Sequence, residues 1–152
     1  MYPKLTKSLL IATLLAGSSV TQFSYATDAS INMPVTSLKY VDSGAGPLKI
    51  SPAFGDPSKG AHSTFVKMPA GFVSKPHTHT ADYYAVVISG VVANAATAEE
   101  PNVELAPGSY WLQKGKAVHV TKCLSTNECI VFITQPAKFD YLATGTGGAE
   151  KE

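Results

Sequence analysis

The chain has 152 residues, with 12 Lys and Arg against 11 Asp and Glu, and a formal net charge of +1. That balance leaves no basic field of the kind that attracts nucleic acid or anionic lipid, so partners of those classes are not expected. Charged residues make up only 15% while Gly and Pro number 12 and 10, the composition of a turn-rich β protein rather than a helical bundle.

In chain order, Lys4 and Lys7 precede the apolar run 9–16, and Ser24-Tyr25-Ala26 comes next with small residues three and one before a cut. This pattern predicts a signal peptide over 1–26, cleaved after Ala26. Ser18, Ser19, Thr21 and Gln22 interrupt the run short of the roughly 20 apolar residues needed to span a bilayer, so no membrane segment is expected after cleavage. The expected location is the periplasm or outside the cell. The chain beyond the cut is long enough to bury one core unaided.

Residues 27–34 are small and polar without period and are expected to be a flexible lead segment. From there, short runs rich in Val, Ile, Tyr, Phe and Thr alternate with Gly, Pro, Asp and Asn clusters, the spacing of a sandwich or barrel, and no helix is expected. The predicted strands are 38–41, 48–51, 63–68, 83–92, 103–105, 109–112, 118–122, 130–134 and 139–142. Gly55-Asp56-Pro57 and Pro107-Gly108 supply turn chemistry between them. In 63–68, Thr64, Val66 and Met68 share one face. The run 83–92 is apolar on nearly every residue, as suits a strand between two sheets or across the inner wall of a barrel. Cys123 and Cys129 flank a polar loop between two β-rich runs; in an exported protein they are expected to pair as a disulfide. The domain is expected over 35–143, and 144–152 as a small, polar, disordered tail.

His77 and His79 stand two apart, a spacing that on an extended strand turns both imidazoles to one face. His119 lies in a later β run that a closed or sandwiched sheet can bring alongside. Three neutral imidazoles suit Zn, Fe, Ni or Cu, and three protein ligands leave positions open for water or substrate, as in a catalytic site. A lone His-x-His is also compatible with two polar residues at a strand end. His62 does not join the pattern.

Gly71-Phe-Val-Ser-Lys-Pro-His77-Thr-His79, with Gly90 eleven residues on, resembles the first motif of the cupin superfamily, and Gly108 to His119 keeps the span of the second. The internal Pro-x-Gly of that second motif is here Lys114-Gly115-Lys116. Gly55-Asp56-Pro57 and Phe139-Asp140-Tyr141 are similar to a subgroup of small bacterial cupins, and the likeness runs from about Val35 to Leu142.

The resemblance implies an all-β, single-domain cupin barrel (a double-stranded β-helix, or jelly roll) holding a divalent metal on His77, His79 and His119. The glutamate that usually supplies a fourth ligand, three or four residues after the second histidine, is replaced by Tyr83 and Tyr84, with Asp82 just before them. That loss favours Zn or Fe over an octahedral Mn site, with Mn, Ni and Cu remaining as alternatives. Tyr83 has the parity to point inward as ligand, hydrogen-bond donor or packing residue; Asp82 has the opposite parity. Tyr83, Gln113 and Lys114 are the candidates for proton transfer. Cys123 near an iron would suit a thiol dioxygenase if it were not paired.

The expected activity is metal-dependent chemistry, oxygenase- or isomerase-like, on a small molecule in the barrel mouth. The alternative is a non-catalytic metal-containing module for ligand binding or sensing. Cupins often pair through exposed strands, and a homodimer is expected.

Overall fold

A computed structural model describes residues 30–144. The expected signal peptide, and all of the expected tail but Thr144, lie outside the described residues. Among the described residues every regular element falls in the unit that begins at Met33.

Apart from one 3₁₀ turn at Val35–Ser37, the elements are strands: β1 (Val41–Asp42), β2 (Lys49–Gly55), β3 (His62–Met68), β4 (His77–Thr78), β5 (Tyr83–Ser89), β6 (Val92–Ala95), β7 (Tyr110–Gln113), β8 (Val120–Cys123), β9 (Cys129–Gln135) and β10 (Leu142–Ala143). Among the described residues no helix is long and apolar enough to cross a membrane.

Six strands form one antiparallel sheet in the order β1-β2-β3-β9-β5-β7. Two pairs, β10-β4 and β6-β8, make up the rest, and the bridges Val73 to Lys122 and His77 to His119 stitch β8 to the segment that carries β4. Alternation decides what faces inward. Thr64, Ile133, Ala85 and Trp111 lie in register across four strands, and all four are buried. Met68, Val87 and Val131 extend this core, which Val92 and Cys123 join from the β6-β8 pair. On β3 the face shared by Thr64, Val66 and Met68 is the inward one, with buried His62 added to it.

The run 83–92 departs from expectation twice. It is not one strand: Gly90 has φ +78°, a backbone that L side chains rarely adopt, and there the chain leaves the large sheet and enters β6. Nor is it buried on both sides. Tyr83, Ala85 and Val87 face the core, while Tyr84, Val86 and Ile88 are exposed. The expected strand at 38–41 shrinks to β1, and 103–105 makes only a bridge from Leu105 to Val92.

Cys123 and Cys129 are joined, with their Cα atoms 5.7 Å apart. In the loop-entropy model so short a loop contributes about 2 to 3 kcal/mol. The bridge also fixes Gly90, where an added Cβ would lie 2.6 Å from Cys129 Sγ and 3.1 Å from its Cα. Gly90→Ala is therefore expected to cost at least about 1 to 3 kcal/mol from backbone strain alone. Urea unfolding checks this, and an unchanged midpoint would show that the turn relaxes freely.

Candidate metal centre

β4 is short because Pro76 precedes it and lacks a backbone donor, but its two residues are held on both sides. His77 exchanges both backbone hydrogen bonds with His119, at 3.1 and 2.9 Å, and pairs with Ala143 of β10 on the other side. The distant histidine is thus brought directly opposite the first, and His79 comes just beyond Thr78. One nitrogen from each of His77, His79 and His119 lies within 4.8 Å of the others, and all three side chains are buried.

Each ring is oriented through Nδ1. His77 Nδ1 donates to the Lys75 carbonyl at 2.8 Å, His79 Nδ1 to the Asp140 carbonyl, and His119 Nδ1 to the Ala117 carbonyl at 3.3 Å. Such bonds fix the tautomer and leave Nε2 as a lone pair, the arrangement that metal-ligating histidines adopt. Burial pushes all three imidazoles below their usual range. His119, which also feels His77 and His79, falls to about 3. The rings are therefore neutral near pH 7, as metal ligation requires. Three buried, neutral, convergent imidazoles fit a divalent metal ion.

The C-terminal segment closes over the ligands. Tyr141 stacks on His77 with ring centroids 4.1 Å apart, and Phe139 lies 5.3 Å from the His79 ring. Asp140 accepts from Thr80 N at 2.9 Å and from the Thr80 hydroxyl, which clamps this segment to the histidine strand.

Tyr83 points inward, as its parity predicts. Its hydroxyl lies 3.5 Å from His119 Nε2, and burial, only partly offset by the Trp111 and Thr121 side chains, raises the phenol to about 12. It is therefore protonated at neutral pH. Asp82 turns away from the histidines and accepts from Gly115 N at 2.7 Å and from Lys114 Nζ at 2.5 Å. Gly115 permits this turn to pack closely, since a Cβ there would meet the Thr80 carbonyl oxygen at 2.7 Å.

Lys114 is largely exposed in that ion pair. Gln113 is buried; its amide accepts from Asn94 at 2.8 Å and donates to the carbonyls of Lys114 and Ala117. Because Ala117 O also receives His119 Nδ1, Gln113 braces the carbonyl that orients a ligand ring. Cys123, being disulfide-bonded, offers no thiol to the site.

A cavity of about 80 Å³ lies against His77, His79 and Tyr83 and extends between the layers past Trp111, Met68 and Ile133. His62, which spacing alone leaves aside, lines the same cavity. Its ring contacts Thr64 Oγ1 at 2.9 Å and Gln135 Oε1 at 3.2 Å. The signal that links it to the site is its parity with Thr64 on β3, visible only once the inward face of that strand is known.

A family model described as "Domain of unknown function (DUF4437)" matches residues 53–147. No curated protein matches the chain. Solved structures with a similar fold include the polyketide cyclase RemF from Streptomyces resistomycificus, at TM-score 0.63 and 13% identity, covering 79% of this chain and 89% of that one. An acetylacetone dioxygenase from Acinetobacter johnsonii matches at TM-score 0.61 and 12% identity, covering 86% and 87%. An RmlC-like cupin protein from Ralstonia eutropha matches at TM-score 0.59 and 17% identity, covering 75% and 73%. The fold is the all-β cupin fold.

Proposed function

The chain belongs to the family described as a domain of unknown function (DUF4437), and from that membership and its three-histidine centre we propose that it is an exported, metal-dependent cupin enzyme acting on a small molecule held in the barrel. The observation that carries the reading is the convergence of three buried imidazoles, each with Nδ1 occupied by a backbone carbonyl, beside a cavity that reaches the core. Structural zinc sites are usually closed by four protein ligands, whereas three ligands leave room for substrate. Export rests on the segment 1–26 and the disulfide between Cys123 and Cys129.

In this reading His77, His79 and His119 hold a Zn or Fe ion, which when bound supplies Lewis-acid or oxygen chemistry. Tyr83, protonated at neutral pH, donates a hydrogen bond to substrate and is the proton donor best placed in the site. Gln113 and Lys114 act from behind: Gln113 holds the Ala117 carbonyl and so the His119 ring, and Lys114 fastens Asp82 across the turn. Phe139 and Tyr141 shield the ligands from solvent. Similar folds serve a dioxygenase and a polyketide cyclase, and a fold alone selects no reaction. Pairing of two copies through an edge strand belongs to the same reading, with β7 at one edge of the six-stranded sheet.

Elemental analysis of the purified protein, followed by oxygen uptake with catechols, thiols and flavonols, tests the proposal. Iron with uptake supports an oxygenase. Zinc with no turnover of any added compound supports the non-catalytic binding module, a reading favoured by the lack of a carboxylate among the described residues that line the cavity. Protein that takes up neither metal would overturn both.

A further inference from the structure

The cavity beside the histidine centre has one side made of half-buried apolar residues. Leu48 and Ile50 stand around the start of β2, Val66 lies on β3, and Phe72 belongs to the segment between β3 and β4. Leu48, Val66 and Phe72 rest on the buried core cluster. Unlike Met68 and Val131 deeper in, each 2% exposed, these four keep surface that a ligand can cover.

The polar side chains of the same wall are occupied by protein partners. Thr64 Oγ1 meets one nitrogen of the His62 ring at 2.9 Å, and the other nitrogen meets Gln135 Oε1 at 3.2 Å. Ser74 Oγ accepts from Thr121 N at 3.0 Å, and the Thr121 hydroxyl donates to Asn94 Oδ1 at 2.8 Å. Trp111 Nε1–H has no partner, but it is buried out of a ligand's reach. Among the described residues no Lys, Arg, Asp or Glu lines the cavity. A ligand hydroxyl pressed against this wall would give up its water without gaining a partner, whereas hydrocarbon gains by leaving water there. Polar anchoring is left to the metal that His77, His79 and His119 would hold, whose open positions accept an anionic or a neutral oxygen alike.

We propose that the site takes a ligand with one polar, oxygen-bearing head for the metal and a short hydrocarbon body on Leu48, Ile50, Val66 and Phe72. The site thus selects by the body, favouring hydrocarbon over polyhydroxylated compounds. This rests on the proposed metal centre and deepens it by naming the substrate class of the same site. The cavity, at about 80 Å³, is about half the size of an apolar cavity of about 150 Å³ that accepts benzene, which limits the body to a few carbons.

Isothermal titration of the zinc-loaded full chain with acetohydroxamate, propanohydroxamate and butanohydroxamate keeps the head constant while the body lengthens. Affinity is expected to rise by about 4-fold per methylene. The butano compound carrying hydroxyls on the two carbons farthest from its head is expected to bind at least about 10-fold more weakly than the plain one. Leu48→Ala and Phe72→Ala each trim the apolar side. Each is expected to weaken butanohydroxamate by about 3- to 10-fold and acetohydroxamate by less than about 2-fold, with zinc content unchanged.

Affinity that stays flat along the series, a dihydroxy compound that binds as tightly as the plain one, or no binding of any hydroxamate to zinc-loaded protein would each overturn the inference. So would folded variants that bind butanohydroxamate as wild type does. Should one variant not fold, the other is read alone, and the wild-type series decides if neither folds. Protein that takes up no zinc overturns the metal centre instead. Titration of that metal-free protein with ethanol, propanol and butanol then reads the wall alone: a gain of about 4-fold per methylene upholds the apolar body, and a flat series overturns it.

Discussion

His77→Ala combined with His119→Ala is expected to leave the protein folded but without bound metal, its affinity lower than wild type by well over about 100-fold. Loss of a mere hydrogen-bond partner behind a ligand already costs about 10- to 100-fold, and this variant removes two of three ligands. The fold survives because of where the histidines sit. The core cluster of Met68, Tyr83, Ala85, Val87, Trp111, Val131 and Ile133 is built elsewhere on the sheet, and the bonds that pair residue 77 with residue 119 are backbone bonds, which alanine keeps. Inductively coupled plasma mass spectrometry on protein reconstituted with zinc or iron reads the outcome, with circular dichroism confirming the fold. Metal retained at wild-type stoichiometry in the double variant would end the assignment.

Asp140→Ala provides a graded companion. The Asp140 carbonyl that orients His79 is backbone and survives, but the carboxylate that grips Thr80 is lost. Loosening that clamp is expected to weaken metal binding within the range for indirect partners, about 10-fold or somewhat more.

The three ligands are legible in the amino-acid sequence because their logic is periodic. A spacing of two on an extended strand, and a third histidine in a later β run, need only a sheet that closes to converge, and the cupin resemblance supplies the sheet. Most strands are legible through the same alternation.

The features that sequence leaves hidden depend on contacts between segments far apart along the chain. Nothing local marks residues 139–143 as the cover of the site; it takes the pairing of Ala143 with His77 and of Asp140 with Thr80 to place them there. His62 stands before both motifs and so looks unrelated, yet β3 runs along the same inner wall. The continuous apolar run 83–92 misleads because apolarity does not require burial on both faces. Tyr84 is 44% exposed and Ile88 47%, and only Gly90, by its positive φ, marks where one strand becomes two. Spacing points Gln113 and Lys114 to the rim of the pocket, yet neither they nor Asp82 line the cavity; their side chains turn to the 114–117 loop, where they find their partners.

The metal-free protein is expected to lose stability steeply as pH falls below about 6.5. Four histidines are involved: His62, His77, His79 and His119 are all buried and all held below their usual range, chiefly by desolvation. In the unfolded chain each takes a proton near pH 6.5, while in the folded protein it resists one. Below that pH the unfolded state therefore binds more protons, and the stability present above it drains away as pH drops toward the folded values. For His119 the loss continues to about pH 3.

Each such group contributes a slope of at most about 1.4 kcal/mol per pH unit, and the slopes of the four add in the window just below pH 6.5, against the roughly 5 to 15 kcal/mol that domains possess. Asp56 and Asp82, whose carboxyls are lowered by Lys59 and Lys114 in turn, lose their pairing only below the ordinary carboxylate range and leave the window above about pH 5 to the histidines. Urea unfolding of metal-free protein at pH 7.5 and at pH 5.0 measures the slope. His119→Gln, which keeps a polar side chain but cannot take a proton, is expected to reduce it by up to one group's share. A free energy that stays level between the two pH values would mean that the rings protonate in the folded state, and protons would then compete with metal for the Nε2 lone pairs without unfolding the barrel.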